Sequence, residues 1–107
     1  MELKILWTNA ASRQLEEVFD FYKTTANVPV ARRLVKELVA HTKILSSQPK
    51  VGQIELLLEG SAKEYRYLVH RNHKIIYWIE PANVFIAAVF DTRRNPVKMH
   101  DSVNPEK

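Results

Sequence analysis

The stretch EYRYLVHRNHKIIYWI, residues 64–79, decides the fold together with VFIAAVFD, residues 84–91. The runs IIYWI and VFIAAV are apolar at successive positions, which predicts strands that are buried on both faces. Short links join the strands predicted over residues 65–71, 74–80 and 84–91, so we expect an antiparallel meander. A further strand is predicted just before them, over residues 54–58.

The sequence before this stretch predicts one strand and then two helices. Leu3, Ile5 and Trp7 alternate with other residues over residues 3–7, which is the period of a strand with one buried face. Thr8 suits the N-cap of a helix that ends near Thr24, because its hydroxyl can accept from a free backbone N–H.

Asn27 suits the N-cap of the second helix, and Pro29 lies in its first turn, where a missing N–H is tolerated. The short link between the helices predicts an antiparallel hairpin. The predicted fold class is therefore α+β in the order β-α-α-β-β-β-β, with the helix hairpin on one face of a twisted antiparallel sheet. We expect the other face to be covered by the C-terminal tail or by a partner chain.

Composition limits the classes of protein that the chain can belong to. Its 107 residues suit one domain over residues 1–107, and 46% hydrophobic residues with only two glycines argue against disorder. The chain has no cysteine, which excludes disulfide scaffolds, thiolate zinc sites and cysteine nucleophiles. No stretch approaches the roughly 20 apolar residues of a membrane helix, so we expect a soluble cytoplasmic protein.

The C-terminal segment is polar and basic. From Thr92 it reads TRRNPVKMHDSVNPEK, with two prolines and no periodicity, which predicts an extended basic tail over residues 92–107 with at most one short turn of helix. The formal net charge of the chain is +4. This excess suits RNA, DNA or an acidic protein as partner, and it also suits a role in solubility alone.

Several groups of residues, in this order and at these spacings, resemble the RelE/ParE superfamily of toxins, which includes proteins called plasmid stabilisation proteins. The carriers are Trp7 with Ala11 and Leu15, Ala31 with Leu34, residues 45–52, EYRYLVHRNHKIIYWI, and VFDTRRNP. The resemblance implies a growth-inhibiting toxin of a type II toxin-antitoxin module. A cognate antitoxin would neutralise it, forming a hetero-oligomer, and no cofactor is expected.

The resemblance leaves the cellular target open. The motif RRNP resembles the end of many ParE-like toxins and favours inhibition of DNA gyrase. One alternative is a RelE-like endoribonuclease that cuts mRNA on the ribosome, and another is a degenerate member that only binds its antitoxin.

The resemblance also suggests site residues. In a RelE-like enzyme, Arg66 would steady the phosphate, Arg93 or Arg94 would stabilise developing charge, and His100 would act as acid or base. Guanidinium groups suit this chemistry because their forked donors clamp phosphate oxygens. In a ParE-like toxin, the target or the antitoxin would instead be bound by basic residues: Arg66, Arg71, Lys74, Arg93 and Arg94.

The remaining candidates have ordinary structural interpretations. We expect His41 on a helix surface, His73 in a hairpin turn beside Asn72, and His70 on the same strand face as Arg66. The aromatic residues at alternating strand positions are expected to be core, and the spacing of histidines and acids predicts no metal site. Only Lys63 precedes Arg66 among possible RelE-type lysines, and no tyrosine follows Arg94, which weakens the nuclease interpretation.

Overall fold

A computed structural model of the protein describes residues 2–103. Five strands form one sheet in the order β1-β5-β4-β3-β2, and three helices pack on it. No helix within this range is long and apolar enough to cross a membrane. The strands are β1 (Lys4–Trp7), β2 (Gln53–Ile54), β3 (Arg66–His70), β4 (His73–Ile79) and β5 (Asn83–Asp91), and the helices are α1 (Asn9–Thr25), α2 (Val28–His41) and α3 (Met99–Val103).

The sheet is mixed, because its first strand runs parallel to its last. β2, β3, β4 and β5 form an antiparallel meander, whereas β1 pairs with β5 in parallel, with Leu6 beside Phe85. Thr8 Oγ1 donates to the carbonyl of Ala87 at 3.3 Å just beyond this pairing. The α+β class and the element order are confirmed, and the expectation of a wholly antiparallel sheet is corrected for β1.

Local capping residues set the start of both helices, as predicted. Thr8 Oγ1 accepts from the backbone N–H of Ala11 at 3.1 Å, and Asn27 Oδ1 accepts from that of Val30 at 2.9 Å. Pro29 lies in the first turn of α2. The buried stripe of α2 then faces the sheet, so the hairpin covers one face of the meander.

Tyr77 lies fully buried in the core between the hairpin and the sheet. Its hydroxyl donates to the carbonyl of Pro49 at 2.6 Å and accepts from the N–H of Gly52 at 3.0 Å. A Cβ atom at position 52 would lie 2.5 Å from the Tyr77 hydroxyl oxygen. Glycine is therefore required there, because the loop backbone packs directly on the tyrosine.

The second face of the sheet is covered in part by the C-terminal segment. The predicted tail from Thr92, extended with room for one short turn of helix, is more helical than expected, because residues 96–103 form a 3-10 turn (Pro96–Lys98) and α3. Met99 is buried there against the sheet. Gln14 of α1 holds the segment, since its side chain donates to Ser102 O and accepts from Val89 N, each at 2.8 Å. Residues 104–107 of the predicted tail lie outside the described residues.

The strand predicted over residues 54–58 is also only partly present. Residues Gln53–Ile54 pair with β3, but Leu56–Leu58 form a 3-10 turn. The cause is Glu55, which is buried and accepts from the N–H of Leu57 at 3.1 Å. This contact bends the chain so that Leu58 enters the second core.

Candidate functional site

A cleft lies where the β3–β4 turn, the end of β5 and the helix hairpin meet. It consists of two cavities, of about 250 and 130 Å³, that share Tyr22 and His73 in their linings. We call the two cavities together the turn-end cleft. The charged residues of the larger cavity are Arg33, Arg71 and Glu37, and those of the smaller one are Arg94, Glu17 and Asp91. The excess positive charge therefore belongs to the larger cavity.

The β3–β4 turn projects Arg71 toward the hairpin. Arg71 has a φ of 55°, a left-handed conformation that is uncommon for a residue with a side chain. Its Nε lies 3.4 Å from Glu37 Oε1, and the side chain remains 63% exposed. The tight turn therefore places a guanidinium group at the cleft rim with most of its donors facing solvent.

Glu37 is the carboxylate that organises this rim. Its Oε1 lies 3.0 Å from His70 Nε2, on the helix side of β3. The hydrogen bond from His70 and the nearby charge of Arg71 hold the pKa of Glu37 below its ordinary value. Glu37 is therefore ionised at neutral pH and already shared between two partners.

Arg93 and Arg94 reach the cleft in different ways. Arg93 forms a forked pair with Asp91, with Nη2 to Oδ2 at 2.7 Å and Nε to Oδ1 at 3.0 Å. These bonds hold the pKa of Asp91 below its ordinary value. Arg94 lies over the ring of Phe90 at 5.7 Å, and within residues 2–103 it has no carboxylate within 4.0 Å. The charge of Arg94 is therefore less neutralised by a paired carboxylate than that of Arg93.

Arg66 lies away from this cluster. Its Nη1 donates to the carbonyls of Gly52 at 2.9 Å and Lys50 at 3.4 Å, and its Nη2 lies 3.6 Å from Glu64. Its strand partner is Tyr77, four residues along β4 from His73, which is about 13 Å at roughly 3.3 Å per residue. Arg66 therefore holds the loop before β2. The fold does not bring it together with Arg93 and Arg94.

Lys74 also has partners within the fold. Its Nζ lies 2.6 Å from Glu55 Oε2 and 4.2 Å from the ring centre of Tyr67. Glu55 is only 3% exposed, so the ammonium compensates a buried carboxylate. Of the five predicted binding residues, Arg71 and Arg94 line the turn-end cleft, and Arg93 lies beside it, bonded to Asp91. Arg66 and Lys74 contribute to loop structure instead.

His100, the predicted acid or base, is exposed on α3 and lines neither cavity of the cleft. His73 has a larger role than its predicted turn position implied. It is the first residue of β4, is 2% exposed, and its Nδ1 has no hydrogen-bond partner within residues 2–103. Burial lowers the pKa of His73, so the imidazole is neutral at pH 7. The sequence held no local signal of this burial, because it depends on Tyr22 and the end of β5.

The charged lining of the larger cavity, Arg33 and Arg71 with Glu37, is chemically compatible with the binding of an anion. Guanidinium groups at a partly apolar cleft bind carboxylate or phosphate oxygens through paired hydrogen bonds. Within residues 2–103, no group of three or more His, Asp or Glu side chains could hold a metal ion. His73, which lines both cavities, is held neutral by burial, which lowers its pKa.

Comparison with known proteins supplies the family. The family model for the ParE toxin of the type II toxin-antitoxin system parDE matches residues 5–96. A solved structure, the chromosomal ParDE TA system from P. aeruginosa, contains a chain with the same fold at a TM-score of 0.71. The two chains share 17% sequence identity over 84% of this chain and 96% of that one. No curated protein matches the chain in sequence. With its helix hairpin on a five-stranded sheet and a family match over most of its length, the chain belongs to the ParE toxin family of type II toxin-antitoxin systems.

Proposed function

We propose that this toxin inhibits DNA gyrase, and that its cognate antitoxin neutralises it by covering the turn-end cleft. The observation that carries the proposal is the separation of Arg66 from Arg93, Arg94 and His100. A RelE-like enzyme would need these groups around one phosphate, whereas Arg66 is bonded to the carbonyls of Gly52 and Lys50. The arginines that do lie together at the turn-end cleft are suited to binding an acidic surface.

The antitoxin half of the proposal rests on the charge and shape of the cleft. The larger cavity is lined by Arg33, Arg71 and one carboxylate, Glu37, beside apolar walls that include Leu34 and Tyr22. An acidic amphipathic segment complements such a surface, because its carboxylates meet the arginines while its apolar side chains fill the cavities. Covering this surface would block any target that uses the same arginines.

The test compares two activities of the purified toxin. We expect it to inhibit gyrase supercoiling and to leave mRNA on translating ribosomes intact. The double variant Arg71→Gln, Arg94→Gln should lose at least about tenfold in gyrase inhibition, because charge-assisted hydrogen bonds contribute roughly 1.5–3 kcal/mol each. Arg32→Gln, an exposed change on α2 outside the cleft lining, is the matched control and should retain full inhibition.

The outcomes separate the candidate functions. Unchanged supercoiling together with cut mRNA would overturn the gyrase proposal. If the variant Arg66→Ala, His100→Ala then lost cleavage while it still folded, the RelE-like function would replace it. Growth that continues normally when the toxin is expressed without its antitoxin would identify a member that only binds its partner.

A further inference from the structure

We propose that the larger cavity of the turn-end cleft is a binding site for a flat apolar group that carries a carboxylate. This inference goes beyond gyrase inhibition, and only its antitoxin arm depends on the proposed function. The cavity is about 250 Å³, somewhat below the roughly 300–1,000 Å³ of pockets for drug-sized ligands. It therefore suits one aromatic or branched side chain, or a small molecule of that size.

The walls of the cavity supply the apolar part of the site. Val30 and Leu34 lie one turn apart on α2, and Tyr22 faces them from α1. The ring of Tyr22 also packs edge-to-face against that of His73, with 6.5 Å between the ring centres. A flat apolar group between these side chains would leave water and contribute binding free energy in proportion to its buried area.

The rim supplies the charge. Arg33 and Arg71 line the cavity with a single carboxylate, Glu37. Glu37 is already engaged by Arg71 and by His70, which leaves Arg33 with no carboxylate within 4.0 Å in residues 2–103. The lining thus carries an excess positive charge, which selects an anionic ligand over a neutral or cationic one.

His73 lies at the edge of the cavity as part of its aromatic lining. It is 98% buried and lines the cavity beside Tyr22. Its Nδ1 has no hydrogen-bond partner among residues 2–103, but this atom is itself buried, so a seated ligand would contact the ring rather than the nitrogen. Apolar walls and a cationic rim together suit an aryl or alkyl carboxylate.

The first test uses phenylacetate as the probe and phenylacetamide as its neutral isostere. NMR titration of the full chain should give saturable shifts of the Tyr22, Asn72 and His73 signals with phenylacetate, at a Kd of about 1 mM for so small a ligand. The amide should bind at least about tenfold more weakly. Arg33→Gln should weaken phenylacetate by about tenfold, whereas its neighbour Arg32→Gln should leave the Kd unchanged.

A blocking variant tests the location. Val30→Trp places an indole in the cavity and should abolish the phenylacetate shifts, with circular dichroism used to check that the variant is folded. If it does not fold, Arg33→Gln, a change at an exposed position, carries the test alone. Equal binding of the amide and the carboxylate, or equal effects of Arg33→Gln and Arg32→Gln, would overturn an anionic site.

A carboxylate of this kind could come from a free small molecule or from the acidic segment of the antitoxin. If the antitoxin supplies it, Val30→Trp and Arg33→Gln should each weaken the toxin-antitoxin complex by at least about tenfold, and phenylacetate should compete. If antitoxin affinity is unchanged while phenylacetate binds, the source is a free carboxylate. The inference is overturned if neither ligand responds to the two variants. Gyrase inhibition is measured separately, so failure there leaves this result intact.

Discussion

Arg66 donates to two loop carbonyls, so it should contribute to the stability of the fold. This contribution can be measured separately from toxicity. We expect Arg66→Ala to lower the free energy of unfolding by about 1–3 kcal/mol, because the carbonyls of Lys50 and Gly52 lose a charged donor. Urea denaturation measures the change, with Arg32→Ala as a surface control that shifts by less than about 0.5 kcal/mol. Full stability combined with lost growth inhibition would instead place Arg66 at the target.

The burial of His73 makes the stability of the fold depend on pH, in a direction that follows from its lowered pKa. Burial lowers its pKa below the ordinary value of 6.5, so the unfolded chain binds a proton at a higher pH than the folded one. Stability from the neutral imidazole is present above pH 6.5 and is lost as pH falls from there toward the folded pKa. Glu37 and Asp91 have lowered pKa values too, but their contributions are lost only below about pH 4.5 and 3.8, their ordinary values.

We therefore expect the urea midpoint to fall between pH 7.5 and pH 5.5 in the native sequence. In His73→Gln, which cannot titrate, this fall should be largely absent. The exposed change His100→Gln should leave it in place. An equal fall in His73→Gln and the native chain would show that another group is responsible.

At the scale of single residues, the sequence predicts side chains whose partners are near in the chain, and it misses those whose partners are distant. The capping roles of Thr8 and Asn27 follow from neighbours three residues away. The burial of His73 depends on Tyr22 in α1 and on its strand partner Asp91. For Arg66 the sequence leaves two interpretations open, a phosphate ligand or a residue that binds the antitoxin or supports the fold, because nothing local reveals a loop carbonyl fourteen residues away.

At the scale of elements too, the sequence predicts the pairing of strands that are neighbours in the chain and misses contacts between distant segments. β4 and β5 contain continuous apolar runs, and short turns link β3, β4 and β5, so their pairing followed from the sequence. The run Leu56–Leu58 is apolar and typical of a strand, yet it forms a 3-10 turn because the buried carboxylate of Glu55 accepts from the N–H of Leu57. Lys74 pairs with the same carboxylate. Parallel pairing of β1 with β5 lies beyond any local pattern, because the whole hairpin and meander intervene.

The short helix α3 depends on one side chain of α1. Gln14 bonds to Ser102 O and to Val89 N, so Gln14→Ala should detach α3 and lower stability by about 1–3 kcal/mol. Hydrogen exchange of residues 99–103 should accelerate more than that of the central strands. Glu16→Ala, an exposed change on the same helix that lines no cavity with α3, is the control. Unchanged exchange in Gln14→Ala would mean that packing of Met99 alone holds α3.

At the scale of the whole molecule, the net charge of +4 and the arginines of the cleft predict electrostatic steering of an acidic antitoxin. We expect the association rate constant to fall by about tenfold or more between 0.05 and 0.5 M NaCl, while the dissociation rate changes less. Stopped-flow fluorescence measures both. Arg94→Gln should flatten the salt dependence, and Lys43→Gln, exposed outside the cleft lining, should have a smaller effect.

The pairing of β1 with β5 also sets the order in which the fold can close during translation. Lys4–Trp7 is synthesised before its sheet partner, Asn83–Asp91. The arginines that line the cleft span a similar interval, from Arg33 to Arg94. The closed sheet and the complete cleft therefore form together, only after residue 94 has left the ribosome.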